Sequence, residues 1–488
     1  MRYRAADVRQ HETHRELVGR PARPSAADSP GNLDAIIVPA SRPAVNLDHA
    51  VTLARAAGCF LVVLCSHEAR PDEVEAFLAK RSFRKAIVID LPTGYAHPLL
   101  KFATSETGNT PAACDKYVTD LSNKRNIGLL LARMVGWERI FYLDDDIRDI
   151  SEPGLSGTVS MLEKFNSAGM RVVEFPDNSI VCHAHRETGA FQDVFVTGSA
   201  LAVRGTKATG FFPNVYNEDW LFFYQDAMLG KLGASGLPAT QLVYDPFREP
   251  ARAEWQEFGD VLAEGLYGLL HQGKGAGHAT SKYWAEFLRE RQNFLLAIID
   301  RADQAGPVMQ DGIRTAVGQA LRVSAATEAG EYERYVKVWQ ADLRDWEQRI
   351  VGLPVGLSVE KALNELDLAA STGGGTPGGP LFRTETSGRD LPGRVPFPHL
   401  PTLNGSRTPA APLPVRPEPV AAQADDTLPM LAIDFGPYIP DAGRQAGPSA
   451  DSLRSLRAQW RRTFRSTAPA RRADADPAGR FDLRSAGN

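Results

Sequence analysis

The chain has 488 residues, of which 43% are hydrophobic, so it is long enough for more than one domain with a packed core. Its formal net charge of −4 arises from 55 basic and 59 acidic residues, and this near balance argues against a nucleic-acid-binding surface. The N-terminal residues lack the apolar segment of a secretory signal, and no run is long and apolar enough to span a bilayer. We therefore expect a soluble cytoplasmic protein with reduced cysteines, whose spacing does not fit a metal site.

Strands and helices alternate in the first part of the chain. Polar residues 1–31 are predicted to form a flexible arm. Apolar runs then predict strands at 35–38, 60–64, 86–89 and 139–143, and helical spacing predicts helices at 46–57, from Pro71 onward, and at 119–133. The strands are apolar throughout, as in a parallel sheet covered on both faces. We therefore predict an α/β domain over 32–275, with a mixed, mainly parallel sheet sandwiched by helices.

The pattern changes after Asp149. A helix is predicted from about Glu218 to Met228, after short strand candidates at 171–175, 179–182, 194–196 and 200–203. Residues 276–370 are predicted to form a helical region. Residues 371–488 are rich in Pro, Gly and Ala, which predicts a disordered tail. Within this tail, residues 451–465 are typical of a basic amphipathic helix that docks on an anionic membrane or a partner, or packs on its own domain.

Three consecutive aspartates, Asp144, Asp145 and Asp146, follow the fourth predicted strand directly. In an open α/β sheet, ligands bind beyond the carboxyl ends of the strands. Adjacent carboxylates repel one another, and a divalent cation bound to a phosphate would neutralise them. The competing interpretation is a solvated acidic turn. On an extended strand end, the side chain of Asp145 points away from its neighbours, so we expect Asp145 to tolerate substitution best.

Three further segments carry groups that suit a phosphate site. Lys124 and Arg125 lie on the helix before the aspartate strand, where they reach phosphate oxygens or form part of a solvated helical face. The loop at 39–43 has no glycine, which excludes a dinucleotide fingerprint and a Walker loop. Glu218 and Asp219 open an aromatic helix, where carboxylates cap the helix or act as a general base beside an apolar wall.

Taken in order, these segments resemble a glycosyltransferase of the GT-A fold, the nucleotide-diphospho-sugar transferase superfamily, and in particular its family-2-type members. The resemblance covers about residues 33–275. It rests on Arg125-Asn126 before the fourth strand, on Asp144-x-Asp146 after it, and on a Gly-Ser-Ala-Leu-Ala-Val-Arg segment that leads through Gly-Phe-Phe-Pro to Glu218-Asp219. It implies a GT-A-type sheet followed by the helical region and the tail.

The resemblance also implies an activity, which is transfer of a sugar from a nucleotide-diphosphate donor to an acceptor hydroxyl with Mn²⁺ or Mg²⁺ as cofactor. Asp144 would lie near the ribose and, with Asp146, on the metal. Asp219 of the catalytic pair Glu218 and Asp219 would face the acceptor, as the base if the reaction inverts or as an orienting group if it retains. The residues implied in nucleotide-sugar binding are Pro39, Ala40, Ser41, Arg42, Glu68, Lys124, Arg125, Asp144 and Asp145. The acceptor would be a small molecule, a glycan or a lipid-linked group, and for the last residues 451–465 would supply a peripheral membrane contact.

The sequence departs from the family pattern after the second strand. Cys65-Ser-His-Glu68 stands where an Asp-Asp-Gly-Ser segment is usual, so Glu68 is the nearest carboxylate for base recognition. A third metal ligand would be Asp245, His271 or His278, or there would be none. Two alternative functions stay open. One is a sugar-phosphate nucleotidyltransferase, although that class needs a glycine-rich loop after the first strand, and the other is a catalytically degenerate domain that serves as a binding scaffold.

Overall fold

The structure is a computed structural model of the chain, and it describes residues 14, 17–19, 33–106, 108–109, 119–173, 179–190, 196–207, 210–368, 370–372 and 380–384. The predicted amphipathic segment at 451–465, Cys114 and most of the predicted tail lie outside these residues. Among the described helices, none is both long and apolar enough to cross a bilayer.

The described strands form one sheet. In chain order they are β1 Ala35–Ala40, β2 Phe60–Cys65, β3 Ala86–Asp90, β4 Arg139–Leu143, β5 Ile147–Arg148, β6 Ser167–Val173, β7 Ala200–Arg204, β8 Leu232–Gln241, β9 Ala370–Thr372 and β10 Phe382–Thr384. Their spatial order is β5-β8-β6-β7-β4-β1-β2-β3-β10-β9. Strand β1 is parallel to β2 and β4, and β3 is parallel to β2 and β10. Strand β7 is antiparallel to both its neighbours, so the sheet is mixed and mainly parallel, as predicted.

The described α-helices cover both faces of this sheet. They are α1 Asp48–Ala57, α2 Pro71–Lys80, α3 Leu121–Val135, α4 Glu152–Ser160, α5 Ile180–Glu187, α6 Glu218–Phe222, α7 Tyr224–Leu229, α8 Arg252–His271, α9 Ser281–Asp300, α10 Pro307–Ala326, α11 Ala329–Val351 and α12 Val359–Glu365. Helix α1 ends at Gly58, whose left-handed φ of 62° suits a residue without a Cβ. Pro71 opens α2 at a position where its missing N–H costs no hydrogen bond.

Each face of the sheet has its own apolar core because successive strand residues point to opposite sides. In β1, Ile36 and Val38 pack with α1, α2 and α4, whereas Ala35 and Ile37 pack with α3, α8 and α11. A third cluster joins α5, α9 and α10. Helices α9, α11 and α12 share a core with the sheet, whereas α10 packs only in the third cluster. Cys59 and Cys65 are buried free thiols, as predicted.

One predicted strand is wrong. Residues 179–182 begin helix α5, whose first turn is capped by the Ser179 hydroxyl as it accepts the N–H of Cys182 at 3.2 Å. The N–H of Ile180 is bound by the Gln256 side chain of α8 at 3.0 Å. A capping serine and a partner 76 residues away thus outweigh the strand preference of Ile180 and Val181.

The other predictions in the second half hold in part. Strand β6 begins four residues before the predicted 171–175 and is described as far as Val173, and most of 194–196 lies outside the described residues. Strand β7 agrees with the prediction at 200–203. The predicted helix at 218–228 is present as two short helices that are separated at Phe223.

Part of the predicted flexible arm is packed. The His14 ring lies 4.0 Å, centroid to centroid, from that of Trp220, and its Nδ1 accepts the N–H of Val196 at 3.1 Å. Leu17 belongs to the core, and Gly19 pairs with Gly233 of β8. These described residues of the arm therefore contribute to the domain, and the prediction of flexibility does not hold for them.

His14 makes stability depend on pH. Burial, with a smaller contribution from His271, lowers its pKa well below 6.5, so the folded protein leaves it neutral where the unfolded chain binds a proton. The free energy of unfolding should fall as pH falls below about 6.5. In His14→Asn, this dependence should weaken by up to about 1.4 kcal/mol per pH unit. Urea unfolding between pH 7 and pH 5.5 measures it, and identical slopes in both proteins would contradict the assignment.

Candidate active site

The order in which strands are added to the sheet reverses between the neighbouring strands β1 and β4. Strands β1, β2 and β3 follow one another outward, and the chain then returns to place β4 on the other side of β1. Such a reversal opens a crevice beyond the carboxyl ends of the two strands, which is where ligands bind in open α/β sheets. The loop after β1 and the aspartates after β4 meet at this crevice.

The three aspartates lie in a tight turn. The N–H of Ile147 donates to the carbonyl of Asp144 at 3.1 Å, and the N–H of Asp144 donates to the carbonyl of Ser199 beside it at 2.9 Å. The backbone therefore bends directly after β4. The side chains do not alternate as they would on an extended strand, and each carboxylate meets a different set of partners.

Asp145 joins the turn to the loop after β1. One carboxylate oxygen accepts the backbone N–H groups of Ser41 at 2.7 Å and Arg42 at 2.8 Å, and the other pairs with the Arg42 guanidinium. Its side chain is only 1% exposed. The expectation that Asp145 tolerates substitution best is therefore not supported, because the turn directs its carboxylate onto two backbone donors.

Asp146 shares Arg42 with Asp145. One of its oxygens accepts from the guanidinium of Arg42 at 2.8 Å and from the side-chain amide of Gln241, at the end of β8, at 3.1 Å. Burial raises the pKa of the Asp146 carboxyl, against the opposing effect of Arg42. Arg42 is thus the immediate counter-charge of two aspartates.

Asp144 is linked to Glu218 by a buried arginine. The Arg125 guanidinium donates to both oxygens of Asp144, at 2.9 and 3.0 Å, and through its other nitrogen to Glu218. Its charge also lies 5.5 Å from the centre of the Phe212 ring. The Asp144 side chain keeps 19% of its surface exposed, so it remains open to the crevice.

Lys124 is also buried. Its ammonium donates to the carbonyl of Ala40 at 2.8 Å and to the Ser66 hydroxyl at 2.6 Å, and it lies 3.2 Å from a carboxylate oxygen of Asp120. The alternative of a solvated helical face is therefore wrong for Lys124 and for Arg125. Lys124 joins the loops that follow β1 and β2.

Glu218 and Asp219 open α6 beside the same arginine. The Asp219 carboxylate accepts the N–H groups of Gly198 at 2.6 Å and Trp220 at 2.9 Å, and the residue is half-buried. Burial raises the pKa of Glu218 to about 8 despite Arg125, and burial likewise raises the pKa of Asp219. Gly198 is needed here because a Cβ would lie 2.7 Å from Arg125 and 2.9 Å from Asp219.

The remaining predicted residues lie around this cluster. Pro39 and Ala40 are the last residues of β1, and the N–H of Glu68 donates to the carbonyl of Ser41 at 3.1 Å, which brings the loop after β2 to the same edge. Gln241, Gly198 and the backbone of Ser199 were not predicted. Their sequence neighbourhood gives no signal of a partner some 20 to 100 residues away, apart from the glycine within the Thr-Gly-Ser segment.

The three candidates for a third metal ligand are exposed or have other contacts. Asp245 is exposed and caps its own turn by accepting the N–H of Phe247 at 2.9 Å, and His278 is exposed. His271 ends α8, where its charge acts on His14. Within the described residues, neither these three nor any other side chain forms a three-ligand group with Asp144 and Asp146.

The donor set nevertheless fits a hard divalent cation. Asp144 and Asp146 offer carboxylate oxygens, and Mg²⁺ in phosphate sites is commonly held by one or two carboxylates with phosphate and water completing its shell. Four carboxylates at this edge, those of Asp144, Asp145, Asp146 and Glu218, are ion-paired to only two guanidiniums, those of Arg42 and Arg125. This excess of negative charge favours a bound cation.

Asp145 should matter most for stability among the three aspartates. Asp145→Ala leaves two backbone donors of the β1 loop without their acceptor, and we expect a loss of about 2–4 kcal/mol in the free energy of unfolding. Asp144→Ala should lower the free energy of unfolding by less, because Arg125 keeps its ion pair with Glu218. Urea unfolding measures both, with Asp311→Ala at a fully exposed carboxylate as the control. A larger loss for Asp144→Ala would contradict this ranking.

Comparison with known proteins gives no relative. No model of a known protein family matches the chain, and a search of curated proteins finds no significant match. Any functional conclusion therefore depends on the geometry of this site.

Proposed function

We propose that the chain is a glycosyltransferase with a GT-A-type domain, which moves a sugar from a nucleotide-diphosphate donor to an acceptor hydroxyl. The observation that carries the proposal is the Arg125 bridge. It joins Asp144 of the Asp-x-Asp turn to Glu218 of the Glu-Asp pair at the point where the sheet reverses its strand order. An acidic turn suited to a donor diphosphate thus lies beside carboxylates suited to an acceptor.

The donor would occupy the crevice between the β1 loop and the aspartate turn. The Arg42 side chain is 40% exposed, and its planar guanidinium can exchange a carboxylate for a phosphate oxygen. Asp146 would then be free to hold a cation, while Asp145 would stay bound to the backbone of the β1 loop. Glu68, whose backbone N–H donates to the carbonyl of Ser41, would be the carboxylate for base recognition.

Asp144 and Asp146 would hold a divalent cation. When bound there, the cation supplies electrostatic stabilisation of the charge that develops on the leaving diphosphate. Arg42 pairs with Asp146, one of these two residues, so its guanidinium would act on the same leaving group as the cation. Lys124 is fully engaged with Ala40, Ser66 and Asp120 and serves to hold the loops rather than to bind phosphate.

Asp219 is the better placed of the two acids to act on an acceptor. It is half-exposed, and its two N–H donors fix the carboxylate in position. Its raised pKa makes it a stronger base than an ordinary aspartate. Glu218 is buried against Arg125 and sets the charge around Asp219 without facing the acceptor.

One observation favours the scaffold alternative. The aspartates already have counter-charges within the chain, Arg42 and Arg125, as they would in a domain that has lost its metal. The nucleotidyltransferase alternative has less support, because the N–H groups of Ser41 and Arg42 bind Asp145 and cannot cradle a phosphate without releasing it.

A donor screen tests the proposal. Nucleotide released from UDP- and GDP-sugars in the presence of Mn²⁺ is measured for the wild type and for Asp146→Ala, with Asp311→Ala as the control. We expect release from at least one donor, reduced about 100-fold or more in Asp146→Ala because the metal site loses a ligand. If the wild type neither releases nucleotide nor binds UDP or GDP with Mn²⁺ by calorimetry, the transferase proposal is rejected. Nucleotide binding without any turnover would favour the scaffold.

The role of Asp219 is tested on the active donor. Asp219→Asn should lower transfer by about 10²–10⁴-fold, because the acceptor hydroxyl loses its base, while nucleotide affinity changes little. In the wild type, kcat/KM should rise with pH through the raised pKa of Asp219, above the range of an ordinary aspartate. Asp311→Asn serves as the matched control. Unchanged transfer in Asp219→Asn would show that another group, or orientation alone, promotes the reaction.

A further inference from the structure

We infer that Asn217, held by Asp260 of α8, is the positioning residue that sets Glu218 and Asp219 in place. This inference rests on the proposed transferase function. It extends the site from the sheet edge to the helices that pack behind it.

Asn217 has a backbone conformation that few residues adopt. Its φ of 61° and ψ of 37° lie in the left-handed region, immediately before α6. Asparagine tolerates this region better than most residues with a Cβ. The N–H of Trp220 donates to the Asn217 carbonyl at 3.1 Å, so this conformation starts the helical turn that carries Glu218 and Asp219.

The side chain of Asn217 is tied to a fixed partner. Its amide donates to one oxygen of Asp260 at 2.9 Å, and the other oxygen of Asp260 accepts from Arg291 of α9 at 3.1 Å. Arg291 is fully buried and also holds Glu257 at 2.8 and 2.9 Å and Glu264 at 3.2 Å. A carboxylate bound on both oxygens between two long helices cannot follow a moving loop, so the position of Asn217 is fixed.

The backbone next to Asn217 is fixed by close packing. Gly259 of α8 lies so near the Tyr216 carbonyl that a Cβ at this position would overlap its oxygen. The helix and the loop are therefore in direct backbone contact one residue before the Asn217–Asp260 hydrogen bond. Two adjacent anchors leave the segment little freedom to shift along α8.

The far ends of the catalytic pair are anchored at the sheet. Glu218 is paired with Arg125, and Asp219 accepts the N–H of Gly198. Contacts at the sheet edge thus hold one side of the pair, and the carboxylates that Arg291 binds on α8 hold the other. Asn217 makes the contact with that second group through Asp260. Cys182 lies with Asp260 and Glu264 in a group of metal-ligand type, but the guanidinium of Arg291 already binds these carboxylates, so we assign the network to positioning.

Four variants separate the hydrogen bond from the backbone requirement. Asn217→Gly keeps the left-handed φ accessible but removes the amide, and Asn217→Ala removes both. Asp260→Asn keeps one oxygen that can accept from Asn217 but then turns an amide donor toward Arg291, whereas Asp260→Ala removes both acceptors. Asp367→Gly is the control, because Asp367 has a similar φ of 54° after α12.

Hydrogen–deuterium exchange of residues 214–223 in the full-length protein measures how firmly the Asn217–Asp260 hydrogen bond holds this segment, and it does not require activity. We expect exchange to rise about tenfold in Asn217→Gly and Asp260→Ala, more in Asn217→Ala, less in Asp260→Asn, and little in Asp367→Gly. With an active donor, kcat should fall about 10- to 100-fold in Asn217→Gly at nearly constant donor KM, because misplaced catalytic groups slow the chemical step.

Exchange in Asn217→Gly equal to that in the wild type, or an unchanged kcat, would overturn the positioning role. A wild type that is inactive with every donor would instead overturn the proposed function. In that case, raised exchange confined to the Asn217 and Asp260 variants would still support the anchor itself.

Discussion

The buried guanidinium of Arg125 is the interaction on which the site depends. It lies between Asp144 at the end of β4 and Glu218 at the start of α6, two carboxylates that would otherwise repel each other in a poorly solvated space. Removing one partner of a buried ion pair is far more costly than losing a surface pair, because the remaining charge is left without solvation. Arg125 therefore fixes the distance between the two acidic segments. Even so, carboxylates outnumber the paired guanidiniums at this edge, and burial raises the pKa of Asp146, Glu218 and Asp219.

The helical layer and the sheet contribute different parts of this arrangement. The sheet presents the aspartate turn and the β1 loop at one edge, since parallel strands bring their carboxyl ends together. The helices bring the Glu-Asp pair to that edge through Asn217 and Asp260. A second buried arginine, Arg291 of α9, holds three carboxylates there, as Arg125 of α3 holds two at the sheet edge. The shared apolar core fixes the position of the helices relative to the sheet.

The sequence predicted the strands and helices better than the contacts between residues that are distant in sequence. Apolar runs located the central strands, because burial on both faces requires an unbroken apolar strand. The strand predicted at 179–182 was wrong because Gln256, which is distant in sequence, binds the start of a helix there. Lys124, Arg125 and Asp144–Asp146 were selected as site residues from residue type and position. Their burial and pairing were not predictable, since Arg42 and Asp145 are 103 residues apart and no local pattern encodes that contact. The expectation that Asp145 tolerates substitution best failed because it assumed an extended strand end, whereas the backbone turns directly after β4.

The pairing of β10 with β3 fixes the position of the last strand that the structure describes. Strand β10 is parallel to β3, and the Thr384 hydroxyl accepts the N–H of Asp90 at 2.8 Å, so β10 ends at the same edge as the acidic crevice. It is three strands from β1, which corresponds to about 14 Å at the usual spacing between strands. Thr384, the last residue that the structure describes, therefore lies at the same edge of the sheet as the aspartate turn.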